Sequence, residues 1–265
     1  MAETWTMTSP RPIPGTPGSD LVRAYIWELP VRITHWVIFF AVLVLSVTGY
    51  YIHRPYISFG ADQEFTMATM RFIHVVTGFV FTLAFLVRMY WMFTGNYCAR
   101  WRAFIPLRRY QWTGMGEMFK YYTFLRWYPA FRIGHNALAA VAYMVIFLVM
   151  LIEILTGLVM FERIVHSGFL EALVGWIPLV LNIQYLREIH FFIMFVFFIF
   201  IIHHVYSAAL VSAEEKNGLV ESIFTGYKFV PVWSLTGDPS CIPPAAPRQP
   251  PPAPVNVVEK PQAPE

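Results

Sequence analysis

Charge is scarce in this sequence. Charged residues make up 13% of its 265 residues, about half of the ~25% usual in a water-soluble domain. Cysteine is scarcer still. Cys98 and Cys241 are the only two, too few for a disulfide framework, a thiolate metal centre or an iron–sulfur cluster. The formal charge of +3 is small, and no nucleic-acid partner is expected. The first 25 residues are polar and proline-rich without an apolar core, so no cleavable signal peptide is expected. No internal repeat stands out.

What the chain has is apolar length. Hydrophobic residues reach 57%, concentrated in four runs at roughly 33–53, 70–94, 135–161 and 187–212. Each exceeds the ~20 residues a helix needs to cross ~30 Å of hydrocarbon. The expected fold is therefore all-α, a four-helix transmembrane bundle in the lipid bilayer. A fifth run at 169–181 is short and broken by Gly175 and Pro178, so it is expected at the interface or folded over the bundle.

Basic residues give the orientation. Arg100, Arg102, Arg108, Arg109, Lys120, Arg126 and Arg132 lie between the second and third runs, against the single acid Glu117. The other two loops are balanced or acidic. The positive-inside tendency puts the basic loop and both termini in the cytoplasm. Residues 1–25 are expected to be a disordered cytoplasmic segment, 26–235 the transmembrane domain, and 236–265 a disordered cytoplasmic tail. That tail carries half of the chain's 20 prolines, which favour an extended, solvated backbone.

Ionisable groups inside a span are costly and mark function by default. Among the eight histidines, His190 and His204 sit 14 residues apart on the fourth run. That spacing is about 3.9 helical turns, so both project from nearly one face, roughly 21 Å apart along the axis. His203 points about 140° away from His190 and is set aside. With the expected orientation, His35 and His204 share an inner level, and His74 and His190 an outer one. Four imidazoles in two layers suit two b-type haems, each held by a pair of histidines on facing helices.

Other residues fall around this frame. Gly49 and Gly78 lie on the ligand faces, where they leave room for the outer haem or allow close helix packing. Arg88 reaches the inner level, either to pair with a haem propionate or to snorkel to the interface. His135 and Asn136 open the third span beside the inner haem, placed to hydrogen-bond a quinone carbonyl; the alternative for Asn136 is helix capping. His53 and His135 offer competing ligand pairings. Glu153 and His166 receive no role. A haem-free anchor, and a metal or proton transporter built on the histidines and twelve methionines, are the rival classes.

At these residues the chain resembles the cytochrome b subunit of membrane-bound nickel–iron uptake hydrogenases. The likeness rests on ELPVRITHWVIFFAVLVLSVTGYYI (28–52), MRFIHVVTGFVFTLAFLVRMYWMFTGN (70–96), RWYPAFRIGHN (126–136), LTGLVMFE (155–162), HHVYSAA (203–209) and GYKF (226–229). It implies that His35, His74, His190 and His204 ligate two haems. It also implies a bacterial inner-membrane location and a higher-order complex with hydrogenase small and large subunits, feeding electrons to a quinone. Related folds serve as gamma subunits of formate dehydrogenases, an alternative donor. Phe191 and Met194 stand where the family usually has a basic or polar residue and a Trp, so the outer haem's surroundings are expected to differ.

Overall fold

A computed structural model describes residues 21–55, 63–107 and 109–231. Four long helices dominate it: α1 (Leu29–His53), α2 (Gln63–Thr94), α4 (Ala137–Val165) and α7 (Ile183–Glu215). They run 25, 32, 29 and 33 residues, each more than the ~20 that span the hydrocarbon. All four are apolar enough to cross a membrane. The helices overrun the expected spans at most ends, because a helix continues into the headgroup zone where hydropathy has already fallen. The ends of α1 and α2 coincide with the expected spans, and the start of α4 falls short. Asn136 accepts from Ala139 N there, so the helix begins at 137 rather than 135.

Helix α1 packs along α2 and α4 along α7, with α1 against α7 and α2 against α4 closing the bundle. The central cluster joins Ile38, Ala41, Phe81, Phe85, Ile146, Met150, Ile193 and Phe197. Phe197 lies seven residues from both His190 and His204 and packs edge-on against Phe81, 6.5 Å between centroids. The two histidine levels are thus separated by a layer of packed apolar side chains, where charge is poorly solvated.

One end of the bundle carries a small ribbon. β1 (Leu21–Tyr25) pairs antiparallel with β2 (Tyr227–Pro231), Val22 opposite Val230 and Ala24 opposite Lys228. Residues 21–25 were expected to be disordered; they are instead a strand, held by a partner about 200 residues away. The remaining N-terminal residues and the proline-rich tail lie outside the described residues. Helix α8 (Leu219–Thr225) and Trp27 tie the ribbon to the bundle, Trp27 Nε1 donating to Ser222 Oγ at 3.0 Å. Lys228 is buried there and donates to Glu215 at 3.2 Å and to the Arg132 carbonyl at 3.1 Å. Helix α3 (Arg109–Tyr122) packs on α4 at this same end.

At the far end, the run at 169–181 forms two short helices, α5 (Gly168–Val174) and α6 (Ile177–Val180). Val174 is buried against Val159 and Leu186, while Phe169, Leu179 and Val180 are exposed. This segment folds over the bundle end, one of the two arrangements its broken pattern allows.

Candidate functional site

The helices bring four of the eight histidines into two facing pairs. His35 of α1 and His204 of α7 stand 6.2 Å apart between ring centroids. His74 of α2 and His190 of α7 stand at the same 6.2 Å. With a metal–nitrogen bond of about 2.0–2.1 Å on each side and half a ring beyond it, two imidazoles sharing one metal lie roughly 6 Å apart. Both separations match a metal held between the rings. His203 is exposed, 3.4 Å from Ser207 Oγ and beside Tyr122, as the angular argument requires.

At the far level, each ring leans on a threonine. Thr48 Oγ1 lies 2.9 Å from His74 Nδ1, and Thr156 Oγ1 lies 3.0 Å from His190 Nδ1. Each hydroxyl hydrogen points back into its own helix, from Thr48 to the Val44 carbonyl at 2.8 Å and from Thr156 to the Ile152 carbonyl at 2.9 Å. The carbonyl three residues before each threonine, Leu45 or Glu153, also accepts from the ring. Both histidines therefore present Nδ1 as the donor, which leaves each Nε2 with a free lone pair for a metal.

A cavity of about 730 Å³ opens around these rings, within the range of small-molecule and cofactor sites. Gly49, Gly78 and Gly157 line it, as does Glu153, whose Oε2 sits 3.3 Å from His190 Nδ1 but off the hydrogen-bond direction. A Cβ at Gly78 would meet nothing within 4 Å, so this glycine borders open space. Gly49 lies in close helix packing, one of the two arrangements expected for it: a Cβ there would stand 3.1 Å from His74 Cε1. Arg71, Arg163 and Arg187 reach the same cavity, as does His53. The His53 ring lies flat on Phe191 at 3.8 Å. His53 thus stands beside the far pair, and Phe191 provides the stacking surface.

The ribbon-end level is built from aromatics. His204 stacks on Phe200 at 5.5 Å and 6°, and its Nδ1 meets the Tyr143 hydroxyl at 3.2 Å. Trp36 abuts His35 edge-on at 5.1 Å. His35 Nδ1 is buried without a hydrogen-bond partner among the described residues. Tyr143 connects this pair to His135, its ring 4.7 Å away. Trp27 at 4.6 Å and Phe104 at 5.1 Å complete an aromatic box around His135. Burial, and then the nearby Arg88, pushes the His135 pKa down to about 3, so the ring is neutral at physiological pH.

Arg88 does not snorkel. It is buried, 3.5 Å from the Ala99 carbonyl and over the rings of Phe104 and Phe147 at 5.4 and 5.5 Å. Asn136 spends its side-chain oxygen on the α4 cap and its amide on the Tyr122 hydroxyl. His166 occupies the left-handed C-cap of α4, with φ 52°. Thr48, Thr156, Gly157 and Tyr143 escaped the sequence reading. Three of them belong to Thr–Gly dipeptides at 48–49 and 156–157, but the same dipeptide also occurs at 77–78, 94–95, 113–114, 225–226 and 236–237 and so does not single them out.

Comparison with known proteins agrees with this architecture. Residues 26–226 match the family model described as prokaryotic cytochrome b561. A probable Ni/Fe-hydrogenase B-type cytochrome subunit of Cupriavidus necator is 33% identical over 217 residues, covering 80% of this chain and 89% of that protein. Its counterpart from Rhodobacter capsulatus is 34% identical over 212 residues, 77% of this chain and 80% of that one. The probable Ni/Fe-hydrogenase 1 B-type cytochrome subunit of Escherichia coli K12 is 32% identical over 220 residues, 79% and 92%. With four apolar spans and a match across most of its length, the chain belongs to the prokaryotic cytochrome b561 family.

Proposed function

We propose that this chain binds two haems b, one at each histidine level, and conducts electrons through a bacterial inner membrane. The carrying observation is the pair of facing imidazoles at each level, both at 6.2 Å between centroids. When bound, the haems supply one-electron carriers at two depths, roughly 21 Å apart along α7. His74 and His190 would hold one, and His35 and His204 the other. Gly78 leaves space at the far level, and Gly49 lets the His74 ring approach α1 closely. Three arginines at the far cavity and Arg88 near the ribbon-end pair are the candidate partners for propionates.

The basic loop, both termini and the ribbon lie on the cytoplasmic side in this reading, so the far level faces outward. The relatives' designation as Ni/Fe-hydrogenase cytochrome subunits supports a nickel–iron hydrogenase as electron donor; its small and large subunits would dock at that outer face. Two electrons and two cytoplasmic protons would convert a membrane quinone to its quinol at the ribbon end. What supports His135 as the group for this is its position as a neutral imidazole beside Tyr143, which meets His204. With its oxygen on the α4 cap and one amide hydrogen on Tyr122, Asn136 has a single amide hydrogen left to offer a quinone carbonyl.

Reduced-minus-oxidised absorption spectra of the purified protein test the cofactor, with a b-type α-band expected. Its absence would leave a haem-free anchor as the better reading. Quinone reduction in membranes carrying His204→Ala tests the path, and full retained activity would refute it.

A further inference from the structure

The far level contains one device used twice. Thr48 and Gly49 of α1 seat His74 of α2; Thr156 and Gly157 of α4 seat His190 of α7. In each seat the threonine oxygen meets Nδ1, at 2.9 or 3.0 Å. In each, the carbonyl three residues before the threonine also accepts from the ring. In each, the adjacent glycine lies under the ring's Cε1, 3.1 or 3.3 Å from where a Cβ would stand. Separate helices supply the two seats, and among the described residues no threonine hydroxyl is hydrogen-bonded to His35 or His204.

We propose that Thr48 and Thr156 are positioning residues for the outer haem, fixing the tautomer, ring direction and donor strength of the two imidazoles, His74 and His190, that would hold it. The proposal rests on the reading of His74 and His190 as haem ligands. The chemistry follows from which way each hydroxyl points. Because the threonine O–H is directed into its own helix, at Val44 or Ile152, its oxygen is left only to accept. It therefore selects the Nδ1–H form of the imidazole and turns Nε2 toward the partner ring. A ring held by an accepted Nδ1–H is also a stronger electron donor through Nε2. Stronger donation favours the ferric over the ferrous state and keeps the potential of that site low. The glycine serves the same end sterically. The ring must approach the helix closely for Nδ1 to reach a side chain as short as threonine's, and a Cβ at 3.1–3.3 Å would hold it off.

The ribbon-end level shows that the device is not a general need of paired histidines. His204 uses a tyrosine hydroxyl and His35 Nδ1 has no partner among the described residues, yet the ring separation is the same 6.2 Å. The threonine seats are therefore assigned to tuning and orientation of the outer site alone.

The test is a redox titration followed optically and by low-temperature electron paramagnetic resonance, on purified full-length protein in lipid nanodiscs. The variants are Thr48→Val, Thr156→Val, the double variant, and the matching Thr→Ser pair. Valine keeps the shape and removes the acceptor; serine keeps the acceptor. The outer haem's midpoint should rise in the valine variants, most in the double one, with altered ferric g values. The inner haem should be unmoved, and serine should restore both readouts. Loss of the outer haem with valine but not with serine would also support the assignment. An unchanged or lowered outer midpoint, or an equal change with serine, would overturn it. His74→Ala separates this from the parent reading. If that variant keeps all its haem, the ligand assignment itself fails; if it loses one haem while the valine variants behave as wild type, only the seats fail.

Discussion

At the far level both paired rings rest on a threonine and a glycine of a neighbouring helix. At the ribbon level the rings are wedged among Trp36, Phe200 and Tyr143. The ring separation is the same at both, reached by opposite means. Small residues leave the far pair facing a cavity of about 730 Å³ that arginines reach. Large aromatics join the ribbon pair to His135, and Arg88 and the buried Lys228 lie close enough to influence that imidazole. The far level is a site built to be approached through an opening, and the ribbon level is a site continuous with packed, hydrogen-bonded structure. Ring separation alone does not distinguish them; what stands behind each ring does.

The largest expected effect comes from filling a far-level seat. Gly49→Leu or Gly157→Leu drives a branched side chain into a ring already 3.1–3.3 Å from the Cβ position. Haem analysis should show about one haem lost per chain, with the ribbon-level spectrum retained. A full haem complement would mean the seats are looser than they look. Next is the buried Lys228–Glu215 pair, which pins the ribbon to α7. Glu215→Ala strands a buried ammonium and should cost about 3–5 kcal/mol of stability. Thermal unfolding in nanodiscs checks this, and a melting temperature equal to wild type would contradict it.

A smaller effect is set by acid. The His135 pKa lies at about 3, below its ordinary 6.5. An unfolded chain therefore takes up a proton in that window that the folded chain refuses. Stability should fall as pH drops from about 6.5 toward 3, and His135→Phe should flatten that part of the profile. The least disruptive change is Tyr143→Phe, which removes only the hydroxyl from His204 Nδ1. It should cost about 1 kcal/mol and change the ribbon-level spectrum while leaving the far level alone. A change at the far level instead would break the separation between the two.

Much of this was legible beforehand for a physical reason. Helix periodicity is rigid, so a 14-residue spacing fixes both the face and the depth of His190 and His204. Loop charge then ordered the remaining histidines into levels. The ribbon was not legible, because LVRAY is too short to signal a strand and is stabilised only by pairing with YKFVP. The side to which Arg88 turns was not legible either. Sequence gives its depth, but the aromatic pocket of Phe104 and Phe147 draws it inward. The threonine seats were hidden by their commonness. Threonine in a membrane helix ordinarily bonds its own backbone, as Thr48 and Thr156 also do, and only a neighbouring helix reveals the second use of the oxygen.

The central claim is that each level holds its own haem. Its most direct test is the haem-to-chain ratio of the purified protein, measured beside His190→Ala and His204→Ala. Two haems per chain in the unaltered protein, and one in each variant with a different residual spectrum, is the result this account predicts. A single haem in the unaltered protein, or the same residual spectrum in both variants, would contradict it.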